Sequence, residues 1–172
     1  MTQQKKIPIT RISRFFGSED FALEQRMGME WLHGDMRFTL VLFRVDRTKT
    51  NVDDIYGESG KEEIRYKPPV EINGYVQIAS PENKSYAAGL VNQMEPGNLT
   101  FGVYNKHLEE LGVDISLGDY IGYAETEDRM RYYSVTNDGR VTSDLKHTIG
   151  GYKAFYRTIV CAYVTPNQFN GI

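Results

Sequence analysis

The chain has 172 residues, 40% of them hydrophobic, which suits one compact domain whose core needs neither disulfides nor a metal. A net charge of −3 removes the global basic excess on which phosphate-driven nucleic-acid binding rests. The single cysteine, Cys161, lies in an apolar run and reads as a small buried hydrophobe compatible with a reducing compartment. No apolar run reaches the roughly 18 residues of a membrane span, and no apolar h-region follows the charged N-terminus, so the sequence predicts a soluble, unprocessed protein with no membrane partner.

Residues 1–17 carry Lys5, Lys6, Arg11 and Arg14 among scattered apolar side chains, including Phe15 and Phe16, and Pro8 interrupts any regular element. They are expected to form a flexible arm ahead of a single β-rich domain over 18–172. Ser18, followed by Glu19 and Asp20, predicts a helix start capped by the serine hydroxyl, with a helix over 19–32 and a stop at Gly34. Leu23, Met27 and Trp31 at four-residue spacing give that helix an apolar stripe expected to pack on a sheet.

Arg37 to Val45 predicts a strand apolar on both faces, either central in its sheet or facing a partner chain. The charged stretch from about 46 to 69, closed by Pro68 and Pro69, predicts a long loop of about twenty residues, of the kind that is functional or ordered on binding. Val70 to Ala79 alternates, with Val70, Ile72, Val76 and Ile78 inward and only Gly74 interrupting the inward set.

Leu99 to Val103 predicts a short strand after the Pro96-Gly97 turn, and His107 to Leu111 a helical turn before Gly112. Strands are expected at Asp119 to Tyr123, Arg131 to Thr136 and Tyr152 to Val164, with turns at Asn137-Asp138-Gly139 and Gly150-Gly151. The fold class is therefore mainly β (α+β): a small antiparallel barrel or sandwich with an N-terminal helix and long loops. Twelve tyrosines and eight phenylalanines suit such sheets, and tyrosine is also a favoured interface residue.

The sequence nominates no catalytic residue, metal ligand or cofactor site. Gly57-Glu58-Ser59-Gly60-Lys61 fails the phosphate-loop spacing. His33, His107 and His147 are far apart, and His107 with Glu110 reads as a solvated surface pair. Between His107 and Asp128 lie seven acids and no Lys or Arg. A carboxylate-pair hydrolase would need two of them to converge in one cleft; the simpler reading is a negative solvated face.

The succession of the helix Phe21 to Glu30, Gly34, the strand Phe38 to Arg44 and the turn Asp54-Ile55-Tyr56-Gly57-Glu58 resembles the N-terminal half of tailed-bacteriophage neck, or head-completion, proteins. Leu117-Gly118-Asp119-Tyr120-Ile121-Gly122-Tyr123, followed by Arg131-Tyr132-Tyr133-Ser134-Val135, is similar to the β-barrel of phage head-closure proteins, where a Gly-Asp turn opens a strand and an aromatic-rich strand pairs back. The likeness covers roughly 20–60 and, loosely, 112–164. It departs after Glu58, where Ser59-Gly60 replaces a further acid, and 80–100 match nothing in the family.

The resemblance implies a non-enzymatic virion protein, assembled in the host cytoplasm as a homo-oligomeric ring between portal and tail, that closes the DNA-filled head and docks the tail. DNA would pass through the lumen without specific binding. Phe15, Phe16, Arg44, Arg47, Asp53, Asp54, Ile55, Tyr56, Gly57 and Glu58 are the residues expected to touch neighbouring subunits or partners. Alternatives are a tail-terminator or other tail subunit, and a module whose tyrosine-rich sheet binds a protein or glycan.

Overall fold

A computed structural model describes residues 17–35, 37–50, 64–86, 91–95, 97–140, 154–165 and 168–169. The expected arm, all but Gly17, and the Gly150-Gly151 turn lie outside the described residues. The elements in chain order are α1 (Ser18–Gly34), β1 (Phe38–Phe43), β2 (Val70–Ile78), β3 (Glu82–Tyr86), β4 (Val91–Glu95), β5 (Leu99–Tyr104), α2 (Asn105–Glu110), β6 (Tyr120–Thr126), β7 (Arg129–Asn137) and β8 (Tyr156–Val164).

Six strands close an antiparallel barrel in the order β1-β2-β5-β8-β7-β6, and β6 pairs back on β1. The fold class expected from the alternating runs is thus realised as a barrel rather than a sandwich. Closure removes the exposed edges that an open sheet of this size would have to protect. Leu40, Leu42, Ile72, Phe101, Ile121, Tyr133, Ile159 and Cys161 fill the interior at 2% exposure or less. Burial of the Cys161 thiol pushes its pKa up to about 12, so it packs as an inert apolar group. Between β5 and β6 the chain crosses through α2 and residues 111–119, which add Leu108, Val113 and Ile115 to the same core.

The hairpin β3–β4 lies in the 80–100 region, where the sequence predicted no strands. Glu82-Asn83-Lys84-Ser85-Tyr86 lacks the apolar alternation that marks a half-buried strand, so pattern reading passed over it. In β2 the inward set holds for Val70, Ile72 and Val76, but Ile78 is exposed near the strand's end. The backbone beside the inward Gly74 lies close to the Gly102 carbonyl, an approach a side chain would crowd.

The second apolar face of β1 meets this chain rather than a partner. Phe43 packs edge-on against Phe169 and Tyr132, with ring centroids 5.0 and 6.0 Å apart, and Tyr66 and Tyr120 complete the cluster. Phe169 stacks on Tyr132 at 4.2 Å. Several of the tyrosines that suggested a binding sheet are therefore consumed in packing on the outside of the barrel.

The expected loop over 46–69 is pinned at both ends. Val45 bridges Tyr66, the Asp46 amide donates to the Arg65 carbonyl at 2.7 Å, and the Lys67 amide donates to the Arg44 carbonyl at 2.8 Å. Arg44 and Lys67 are thereby set side by side.

Candidate functional site

Two surfaces stand out against this closed barrel: the outer side of α1 and a polar cleft beside the end of β1. The helix begins with Gly17, not Ser18, at the cap; the Gly17 amide donates to Asp20 Oδ2 at 2.6 Å, and Ser18 is the first helical residue. Its barrel-facing side is formed by Phe21, Gly28 and Leu32 at seven- and four-residue spacing. Phe21 meets Phe155 edge-on at 5.7 Å, Gly28 lies against the Tyr104 ring, and Leu32 is 1% exposed. Absence of a side chain at Gly28 is what lets the helix approach.

The stripe expected to pack on the sheet is consequently turned outward. Leu23, Met27 and Trp31 are 45%, 59% and 46% exposed. Trp31 stacks with Tyr75 of β2 at 6.3 Å, which carries the apolar surface from the helix onto the barrel wall. Three large apolar side chains in one row on a helix already docked by its other side form a contiguous patch, unlike scattered surface leucines.

The helix's C-terminal end is fastened through histidine. His107, expected at the surface, is buried; its Nε2 accepts the Asn73 amide at 3.0 Å, and its ring meets His33 edge-on at 5.1 Å. Burial, reinforced by His33, holds the His107 pKa below its ordinary value. This pair was invisible in sequence because 74 positions separate its members. Among the described residues no group of three or more His, Cys, Asp or Glu is placed to hold a metal ion.

The cleft, with a volume of about 510 Å³, lies where the end of β1 meets the 112–119 segment, and Arg44, Arg47 and Lys67 line it together with Asp46, Asp114 and Asp119. Asp119 is a buried tie rather than part of a solvated face. Its Oδ1 accepts the Val45 amide at 3.0 Å and its Oδ2 the Ser116 amide at 2.8 Å, which joins the end of β1 to the turn opening β6. Burial pushes the Asp119 carboxyl up, while those two amides and the Arg47 and Arg44 guanidinium groups draw it down. Gly118, at φ 84°, makes the turn that presents it.

Two other acids of the 107–128 run are also spoken for. Asp114 pairs with Arg140 and with Arg157 Nη2, the latter at 2.6 Å, and Glu125 accepts both Arg131 Nε at 2.8 Å and Nη2 at 2.6 Å. The cations come from β7, β8 and Arg140, outside the acidic run; the reading of a negative solvated face therefore fails for the buried Asp119, while Asp114 and Glu125 are exposed but offset by these ion pairs. Glu109, Glu110, Glu127 and Asp128 remain exposed. Asp46 is held below the ordinary carboxylate range, first by the Thr48 hydroxyl at 2.6 Å, then by the Thr48 amide, Lys49 and Lys67.

Of the residues expected to make contacts, Arg44 and Arg47 come together in the cleft. Phe15, Phe16, Asp53, Asp54, Ile55, Tyr56, Gly57 and Glu58 lie outside the described residues. Sequence reasoning missed Lys67, because only the backbone pairing of 44–46 with 65–67 brings it beside Arg44. It also missed the outward turn of the helix stripe, for which Gly28 on the same face as Phe21 and Leu32 was the available signal. No protein-family model matches the chain, and a search of curated proteins returns no match. Among the described residues no helix is long and apolar enough to cross a membrane.

Proposed function

We propose that this chain is a non-enzymatic structural subunit of a tailed-phage neck, assembling as a homo-oligomeric ring between portal and tail to close the DNA-filled head and dock the tail. The observation that carries the reading is the outward apolar row Leu23, Met27 and Trp31, continued by Tyr75. A subunit that completes its own core has no intramolecular use for such a row, whereas a ring subunit must bury matching surfaces against its neighbours. Support also comes from the order of elements over 20–60 that resembles neck proteins. In the downstream likeness, the Leu117-Gly118-Asp119 turn opens β6, and the aromatic-rich β7 pairs back on it from Tyr120–Ser134 to Tyr123–Arg131.

In this reading the virion is the protein's destination, and the host cytoplasm is where it assembles. A net charge of −3 suits a lumen through which DNA passes without specific binding. Negative-stain imaging of the purified chain, alone and mixed with portal and tail proteins, tests the proposal. Closed rings are expected; particles that stay monomeric with every partner would refute it.

A further inference from the structure

We propose that the contact of His33 with Asn73 and His107 is an acid-released latch: protonation frees the C-terminal turn of α1 from the barrel and dismantles the association surface which that turn carries. The loss of association rests on the ring reading and adds a control to the same surface.

Three elements meet at the latch. His33 lies in the last turn of α1, Asn73 on β2, and the buried His107 on α2. Asn73 serves both rings: its backbone amide donates to His107 Nε2 at 3.0 Å, and its side-chain Nδ2 lies 3.3 Å from His33 Nδ1. Both Asn73 groups are donors, so each of these ring nitrogens must keep a lone pair toward them. An imidazolium carries hydrogen on both nitrogens and has no lone pair to offer. A proton on either ring therefore turns a hydrogen bond into two opposed donors. Protons on both set two cations together, with ring centroids 5.1 Å apart.

The surrounding groups fix the direction of the effect. Burial first and His33 second resist a proton on His107, while Glu110 on α2 is the third and opposing influence. Lys106 and Glu109, also on α2, are exposed and opposite in sign. From β2 come the uncharged Asn73 and, two residues to either side of it, the exposed Glu71 and Tyr75. Tyr104, which leads from β5 into α2, has its pKa raised by burial and stays neutral throughout the acid range. On α1, Glu30 precedes His33 by three residues and pairs with Arg26. The negative end of the α1 dipole favours a proton on His33, but that effect travels with the helix and is the same docked or released. Acid therefore favours release.

The same two segments carry the outward row from helix to barrel. Trp31 stands two residues before His33, Tyr75 stands two residues after Asn73, and their rings stack at 6.3 Å. Phe21 on Phe155 and Gly28 on Tyr104 fasten the helix nearer its start, so release begins at the His33 end. Lifting that end parts Trp31 from Tyr75 and splits the row in two.

Trp31 is the chain's single tryptophan, so its emission wavelength reads the latch directly. Emission and particle mass by light scattering are followed on the same sample from pH 8 to pH 5. Emission is expected to move to longer wavelength as pH falls through about 6, with far-ultraviolet circular dichroism unchanged. Association is expected to weaken at least about tenfold between pH 7 and pH 5, because a proton that the docked state excludes favours release about tenfold for each unit below 6.5. His107→Gln keeps an acceptor for the Asn73 amide that no proton can occupy, and should hold emission and mass constant. Should His107→Gln lower the melting temperature at pH 8, His33→Asn replaces it and should shift the transition to lower pH.

An assembled wild type whose emission and mass stay constant to pH 5 would overturn the latch and leave the ring reading intact. A transition that persists in both His107→Gln and His33→Asn, or that vanishes in His147→Asn, would belong to another group and overturn it too. An emission shift without a change of mass would overturn the control of association. Wild type that is monomeric at every pH would overturn the ring reading, and the emission shift with its loss in His107→Gln would then decide the latch by itself.

Discussion

The interior of the barrel and the outer side of α1 are built from the same kinds of residue and end in opposite situations. Leu40, Ile72 and Ile159 are fully enclosed by strands that pair around a closed circuit, whereas Leu23, Met27 and Trp31 stand in a row with roughly half their surface in water. Among the described residues, the six strands, α2 and the 113–115 segment supply the enclosed cluster in the barrel. The helix is fixed to that body by a short list of contacts, Phe21 on Phe155, Gly28 on Tyr104, the buried Leu32, and the His33–His107 pair. What differs is the number of faces each element must bury, and the helix carries one apolar face more than the described residues cover.

The comparison breaks most sharply in the core. Ile159→Ala should cost about 3 kcal/mol of unfolding free energy, read from urea denaturation, because a closed barrel collapses poorly onto a lost side chain. A cost below about 1 kcal/mol would mean that the interior is not the tightly packed half of the molecule. Next comes the tie between β1 and the β6 turn: Asp119→Ala removes two charge-assisted bonds to backbone amides and should cost about 2–3 kcal/mol in the same assay.

The attachment of the helix gives a smaller and more local effect. Gly28→Val would drive a side chain into the Tyr104 ring, which Phe155 and Tyr156 hem in, and should cost about 1–3 kcal/mol. The barrel should remain folded while α1 becomes the first site of limited proteolysis. Simultaneous loss of the barrel signal in near-ultraviolet circular dichroism would show that helix and barrel are one cooperative unit.

Acid should loosen the same attachment. Burial and His33 hold His107 below its ordinary pKa, so the unfolded chain takes up this proton first as pH falls through about 6.5. The contribution to stability is complete above that pH and declines below it, since a protonated Nε2 can no longer accept the Asn73 amide. Melting temperature should therefore fall from pH 7 to pH 5, and His107→Asn should flatten the slope; an unchanged slope would refute the assignment.

Legibility in the sequence followed the same divide. β1, β2, β5, β6, β7 and β8 announced themselves through alternation or apolar runs, because half-buried strands expose their two-residue period directly. The hairpin β3–β4 did not, because its sequence lacks the apolar alternation that marks a half-buried strand. The helix was placed within two residues at each end, but its orientation was inverted: the most regular apolar spacing belonged to the outward row, and the true docking face was marked by a glycine. Arg44 and Arg47 were nominated by the resemblance to neck proteins, whereas Lys67 depends on the backbone pairing of 44–46 with 65–67, and Asp119 and the His33–His107 pair on contacts between segments far apart in the chain.

The outward row should contribute little to the stability of the single chain beyond the Trp31–Tyr75 stack, and this separates it from the core positions above. In the combined Leu23→Ser, Met27→Ser and Trp31→Ser variant the first two should each change unfolding free energy by no more than about 0.5 kcal/mol, as exposed positions do, and Trp31→Ser, which also loses its stack on Tyr75, by about 1 kcal/mol. The decisive measurement is the mass of the particle in solution by light scattering, for wild type and this triple variant at matched concentration. Wild type at an integral multiple of the monomer mass, with the folded triple variant reduced to monomer, is the predicted result. A wild type that is monomeric, or a triple variant that assembles as well as wild type, would contradict the claim that α1 carries the surface by which this protein associates.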